Sequence, residues 1–174
     1  MVIPRIRRGV LPTVRAAVKP CGFTIIELMV TLTVLAILGA IAGPSMLDML
    51  NATRVRAAAS DLYESAILAR SEAIKRATNI DMVPAAGGWQ DGWTVQVGAT
   101  VLKGHDALQN VTVTASASGN LTYRLDGRVS TNLRSFVLTS SQSASVQARC
   151  VLIDASGRAT IKTDTDGNSG NGCN

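Results

Sequence analysis

The 174-residue chain holds one histidine and three cysteines in all, and its first 22 positions contain no acidic residue. The lone His105 cannot build a multi-histidine metal site, and within "KGHDAL" it is expected as a solvated loop side chain. No Ser/His/Asp set assembles around it, no phosphate-cradling glycine loop is present, and no internal repeat is apparent. The segment "DTDGN" places oxygens at Asp164, Asp166 and Asn168, as in a calcium loop. Its glycine falls at the fourth position rather than the sixth, however, and no glutamate follows at the twelfth. No catalytic residue, cofactor or metal is therefore expected.

The missing acids shape the charge. Lys and Arg number 17 against 12 Asp and Glu, a net charge of +5 with a pI near 9.6. Such a balance suggests an anionic partner, but Arg5, Arg7, Arg8, Arg15 and Lys19 account for the whole excess, leaving 12 bases against 12 acids after residue 22. From Phe23 to Leu47 the chain runs 25 residues with Glu27 as its only charge. At ~1.5 Å per residue that length crosses a hydrocarbon core of ~30 Å. The basic leader keeps the preceding end in the cytoplasm, and the remainder is exported. An ionised group in hydrocarbon costs at least ~2.5 kcal/mol, so Glu27 needs a functional reason.

After "GPS" at Gly43-Pro44-Ser45 the pattern becomes amphipathic, with Leu47, Leu50, Val55, Ala58, Leu62, Ala66, Ala69 and Ala73 at steps of three and four. The helix is expected to continue, with a kink or an opened turn at Pro44 and a Glu72–Arg76 pair on its polar face. It ends at "ATNIDMVPAAGG", where turn residues take over. Short alternating runs follow: "GWTVQVG", "ATVLKG", "NVTVTAS", "NLTYRLDGRVS", "SFVLTSS" and "ARCVLIDASGRATIKT". They suit a small antiparallel sheet, the last containing a hairpin that turns at Ser156-Gly157. The expected fold is α+β: a long N-terminal helix, half transmembrane and half amphipathic, packed on a small antiparallel β-sheet domain. The expected divisions are 1–22 leader, 23–47 transmembrane helix, 48–78 amphipathic continuation and 79–174 β-rich domain.

Losing the leader with Cys21 leaves Cys150 and Cys173, an even pair that in an exported domain reads as a disulfide contributing ~3 kcal/mol. Two unpaired thiols are the alternative. The bridge would tie down the polar tail "TDTDGNSGNGCN".

The stretch "GFTIIELMVTLTVLAILGAIAGPS" resembles the N-terminal signature of type IV pilins and type II secretion pseudopilins, with Gly22 before the cut, Phe23 as new N-terminus, Glu27 fifth and Pro44 twenty-second. "ARSEAIKRATN", Gly92-Trp93 and the terminal "GRA" turn resemble the GspH/FimT branch of minor pilins and pseudopilins. The resemblance implies cleavage between Gly22 and Phe23 and methylation of the Phe23 amine by a prepilin peptidase. It also implies assembly roles for Glu27 and Pro44, with a place in the bacterial inner membrane before the filament. Implied partners are other minor pilins or pseudopilins, the major subunit and an inner-membrane assembly platform. The implied function is to prime a type IV pilus or type II secretion pseudopilus, at its tip. Two alternatives stand beside it. Ala40-Ile41-Ala42 could serve an ordinary secretory signal. Arg149, Arg158 and Lys162 could line one strand pair and contact about three phosphates, as in DNA uptake, although Thr160 stands where DNA-binding relatives tend to carry a second arginine.

Overall fold

The computed structural model describes residues 22–130, 132, 135–168 and 173, excepting the side chains of 41–44. The Arg5 to Lys19 leader bases and Cys21 lie outside the described residues. The first element is helix α1, Ile25–Arg76. By contacts the chain divides into one unit ending at Ala40 and a second beginning at Ile41.

In the first unit, Thr24 starts the helix. Its hydroxyl accepts from the Glu27 N–H at 3.2 Å and its carbonyl accepts from the Leu28 N–H at 3.1 Å. Thr24 is thus the N-cap and Glu27 the third helical residue, the T-x-x-E arrangement of a capping box. Every residue from 22 to 40 is exposed.

The helical assignment continues without interruption through Gly43-Pro44. In the second unit, one helix face is buried at Asn51, Val55, Ala58, Ala59, Leu62, Ser65, Ala66, Ala69 and Ala73. Two periodic positions depart from expectation: Leu47 and Leu50 are exposed, and burial begins at half-buried Asp48. Periodicity marks a face but does not say where the chain supplies a partner for it. The helix closes in a Schellman motif, with the Thr78 N–H on the Ala73 carbonyl (3.3 Å), the Ala77 N–H on the Ile74 carbonyl (3.4 Å), and Ala77 at φ 50°. The Glu72–Arg76 pair forms, and Lys75 joins it at 3.5 Å; both cations hold the Glu72 carboxyl below its usual range, Arg76 chiefly.

Eight strands follow: β1 (Ile80–Ala85), β2 (Gly88–Val97), β3 (Thr100–His105), β4 (Val111–Ala115), β5 (Leu121–Tyr123), β6 (Ser135–Ser140), β7 (Arg149–Ile153) and β8 (Ala159–Thr163). They form two four-stranded sheets rather than one, in the orders β3-β2-β1-β5 and β4-β6-β7-β8, with every pairing antiparallel. β1 occupies the segment expected as a turn. Pro84, which has no N–H to give a ladder, is tolerated because β5 pairs only with residues 80–82, leaving Pro84 without a second neighbour. Of "NLTYRLDGRVS" only the first part is strand. A turn at Arg124–Arg128 then closes through the Arg124 N–H on the Arg128 carbonyl (2.8 Å).

Alternation directs Ile80 and Met82 of β1, Val111 and Val113 of β4, and Phe136 and Leu138 of β6 into the core with the helix face. Trp89 of the first sheet meets Phe136 of the second edge to face, with centroids 4.8 Å apart, and so joins the two.

Candidate functional site

The sequence singles out the processing and assembly residues first. Gly22 and Phe23 precede the helix N-cap and are exposed, Phe23 to 75%. Glu27 is exposed in the first turn, where the positive end of the helix dipole favours a carboxylate. Pro44 lies within the continuous helix, its side chain outside the described residues. From Ile25 to Leu38 ten of the fourteen exposed side chains are Ile, Leu, Val or Met, and the helix is long and apolar enough to cross a membrane. Thr24 was not singled out from sequence, although its spacing to Glu27 is the readable signal of a cap.

The Cys150 and Cys173 sulfurs are bonded, with Cα atoms 5.8 Å apart. The bridge lies on the face of β7 opposite Val151, and both cysteines are buried. Residues 169–172 of the tail it was expected to restrain lie outside the described residues. Just before them Asp164 is buried, and burial first, then the neighbouring Asp166 carboxyl, raise it above the usual carboxylate range.

The three candidate nucleic-acid contacts do not form one surface. Arg149 pairs in register with Thr163 and shares the face of Val151 and Ile153, where it lines a cleft with Asp48, Met49, Ala52 and Arg56. Lys162 is opposite Cys150 and therefore points to the other face. Arg158 sits in the β7–β8 turn. There the Asp154 carboxylate accepts from the Ser156 hydroxyl (2.6 Å) and the Arg158 N–H (3.0 Å), which hold its carboxyl below the usual range. An ionised acid is thus built into the turn that carries the arginine. The expected Ser156-Gly157 turn is present: Gly157 adopts φ 79°, and a Cβ there would collide with the Gly127 carbonyl oxygen. In the resemblance to the "GRA" turn, the glycine is thereby given a steric reason.

His105 is not a solvated loop residue. It ends β3 opposite Trp93, stacks on that indole with centroids 4.1 Å apart, and brings Nε2 to 3.2 Å from the Asp61 carboxylate of α1. Gly92 adopts φ 104°, and a Cβ there would strike the His105 carbonyl oxygen, so both backbone and space call for glycine. Gly92-Trp93 and His105 therefore form a packing unit, invisible in sequence because it depends on the β2–β3 register. Among the described residues no group of three or more His, Cys, Asp or Glu is arranged to hold a metal.

A long helix with a capped apolar start and an alanine-rich face packed on antiparallel sheets defines a pilin-like fold. Two crystal forms of the type IV minor pilin FimU from Pseudomonas aeruginosa share it. One aligns with TM-score 0.58 and 20% identity over 70% of this chain and 96% of that one; the other gives 0.55 and 23% over 62% and 91%. The family model described as type II transport protein GspH matches residues 58–157, and that of the prokaryotic N-terminal methylation motif matches residues 19–43. The chain belongs to the GspH family, and its role is that of a minor pilin or pseudopilin, a structural subunit. Comparison with curated proteins gave no match. No finding favours the DNA-binding alternative.

Proposed function

We propose that this subunit helps prime assembly of a type IV pilus or type II secretion pseudopilus at the filament tip, together with other minor subunits and the major subunit. In this reading prepilin peptidase cleaves between Gly22 and Phe23 and methylates the new amine. Before assembly, residues 23–47 cross the bacterial inner membrane once, with the C-terminal domain periplasmic, and an inner-membrane platform feeds the subunit into the filament. The carrying observation is the position of Glu27, an exposed carboxylate in the first turn of an exposed apolar helix.

Cleavage would leave the Phe23 amine one residue before the N-cap, at the end of the helix where a positive charge is disfavoured. A neighbouring subunit's Glu27 could neutralise it. In low dielectric each charge is tolerable only when paired, so correct register is rewarded and misregister penalised. The capping geometry offers a competing role, and glutamine preserves a capping box while removing the charge. Processed protein in membranes is compared with protein in sheared filaments for Glu27→Val and Glu27→Gln. Both variants are expected to be processed and at least ~10-fold depleted from filaments, the effect of losing about 1.4 kcal/mol of pairing. Full incorporation of Glu27→Gln would assign the residue to helix capping and refute the pairing role.

A further inference from the structure

We infer that the cleft between α1 and the segment leading into β7 holds the phosphate of a membrane lipid before the subunit enters a filament, with Arg56 and Arg149 as its cationic ligands. The inference rests on the reading of residues 23–47 as membrane-crossing. The cleft measures about 500 Å³, and Met49, Ala52, Arg56, Val146, Gln147 and Arg149 line it beside the Asp48–Ser145 contact. Arg56 comes from the helix, and Arg149 opens β7. Among the described residues neither guanidinium forms an ion pair. Two unpaired guanidinium groups lining one cleft favour an anion between them, and their planar forks match phosphate oxygens two at a time. Asp48 is the single acid on the lining and is already engaged by the Ser145 hydroxyl at 2.8 Å, so the cleft keeps a positive excess.

Its place along the chain points to lipid. Asp48 is the first residue past the apolar stretch, and Met46, Leu47, Met49 and Leu50 are exposed around it. Asp48 and Met49 therefore stand at the level where hydrocarbon gives way to headgroups. Arg56 follows Leu47 by nine residues, ~13 Å along the axis at ~1.5 Å per residue. The interfacial layer on each side of a bilayer is ~5–8 Å deep. A helix tilts every Cα–Cβ bond toward its N-terminus, so the Arg56 stem leans back toward Ala52 and Met49, with which it shares the cleft, and carries its charge down to headgroup depth. Met49 and Val146 give the cleft an apolar wall, which suits the glycerol end of a lipid and offers nothing to a free phosphate ion.

The test is native mass spectrometry of the full chain extracted in detergent. It is offered dioleoylphosphatidylglycerol, dioleoylglycerol, which lacks the phosphate, or dioleoylphosphatidylglycerol together with excess inorganic phosphate. One phosphatidylglycerol is expected to stay bound, dioleoylglycerol to be lost, and inorganic phosphate not to displace the lipid. Arg56→Gln and Arg149→Gln should each reduce retention about fivefold, the effect of one cation beside an anionic lipid. Arg54→Gln removes the same charge two residues away, outside the cleft, and should keep the lipid. Should Arg149→Gln fail to fold, Arg56→Gln, at an exposed position, decides. No retained phospholipid, equal retention of dioleoylglycerol, displacement by inorganic phosphate, or an equal loss in Arg54→Gln would overturn the assignment. Carbonate extraction of membranes checks the membrane reading by itself: a chain that resists carbonate yet retains no lipid overturns the cleft alone, and a chain released by carbonate overturns both.

Discussion

The two described stretches of α1 share a secondary structure and differ in what covers them. Residues 22–40 expose every side chain, many of them Ile, Leu, Val or Met. From Asn51 to Ala73 the buried face is mostly alanine, with Val55 and Leu62 the larger members. Small residues let sheet strands approach the helix axis closely, and the strands bring the bulk: Phe136, Tyr123, Met82 and Leu138. The exposed stretch carries its own bulk, which suits lipid or like helices in a filament. Contiguous exposed apolar surface of this extent marks an interaction site. Residue size, beyond hydropathy, therefore separates the half of the helix that serves the fold from the half that serves assembly.

A pair of truncations would break that distinction if it is wrong. Leu62→Ala removes a side chain 1% exposed and should destabilise the domain by ~2–5 kcal/mol, whereas Leu35→Ala, at a 63% exposed position, should leave domain unfolding within ~0.5 kcal/mol of wild type. Denaturant unfolding of the detergent-extracted protein, read from Trp89 and Trp93 fluorescence, measures both. Equal losses would mean that residues 22–40 contribute to the domain's own core.

A second substitution sharpens the packing at the far end of the buried face. The Arg124–Arg128 turn lies against the helix, since a Cβ on Gly127 would meet Ile74 Cδ1 at 2.7 Å, and Gly157 lies against Gly127 in turn. Gly157→Ala adds a collision to the ~1 kcal/mol that alanine costs at positive φ, so ~2 kcal/mol or more is expected. Gly98→Ala is the control: φ is 57°, nothing lies within 4 Å of a Cβ, and only the ~1 kcal/mol backbone cost remains. Tm values of the two variants distinguish crowding from conformation, and equal values would remove the steric reason for Gly157.

Much of this arrangement was legible from residues alone. The run from Val55 to Ala73 repeats at helical spacing without a break, and its face is the one buried. The same spacing extends through Leu47 and Leu50, which are exposed, because hydrophobic period records a face and carries no information about where the sheets end. β1 was hidden by Pro84 and the following Ala-Gly residues, although Ile80 and Met82 alternate with Asp81 and Val83; what rescues the strand is β5 stopping short of Pro84, a tertiary fact. Glu27 stood out because its charge conflicts with its surroundings. The grouping of Arg149 with Lys162 failed for want of one register: a residue paired with Cys150 cannot share a face with Arg149. Likewise His105 looked solvated until β2 and β3 were aligned opposite Trp93.

The smallest expected effect sits at the boundary between the two stretches. Asp48 is the first half-buried described residue of the helix after the exposed run, and its carboxylate accepts from Ser145 Oγ at 2.8 Å, with Ser143 Oγ 2.8 Å from that hydroxyl. The hydroxyls of Ser143 and Ser145 hold the Asp48 carboxyl below its ordinary value of 3.8. A carboxyl lowered in the folded state contributes stability that is present above its unfolded value and is lost as pH falls through the folded one. The latch should therefore act fully at neutral pH and weaken progressively as pH falls below about 3.8. Solvent access keeps it weak, so Ser145→Ala is expected to lower Tm near neutrality by no more than about 2 °C and to have no effect at the acid end. Hydrogen exchange localises the loss: amides around Asn51 to Val55 should exchange faster in the variant, while those around Leu62 to Ala69 stay protected. A Ser145→Ala effect of equal size across the whole pH range would show that the contact works through packing and not through the Asp48 charge.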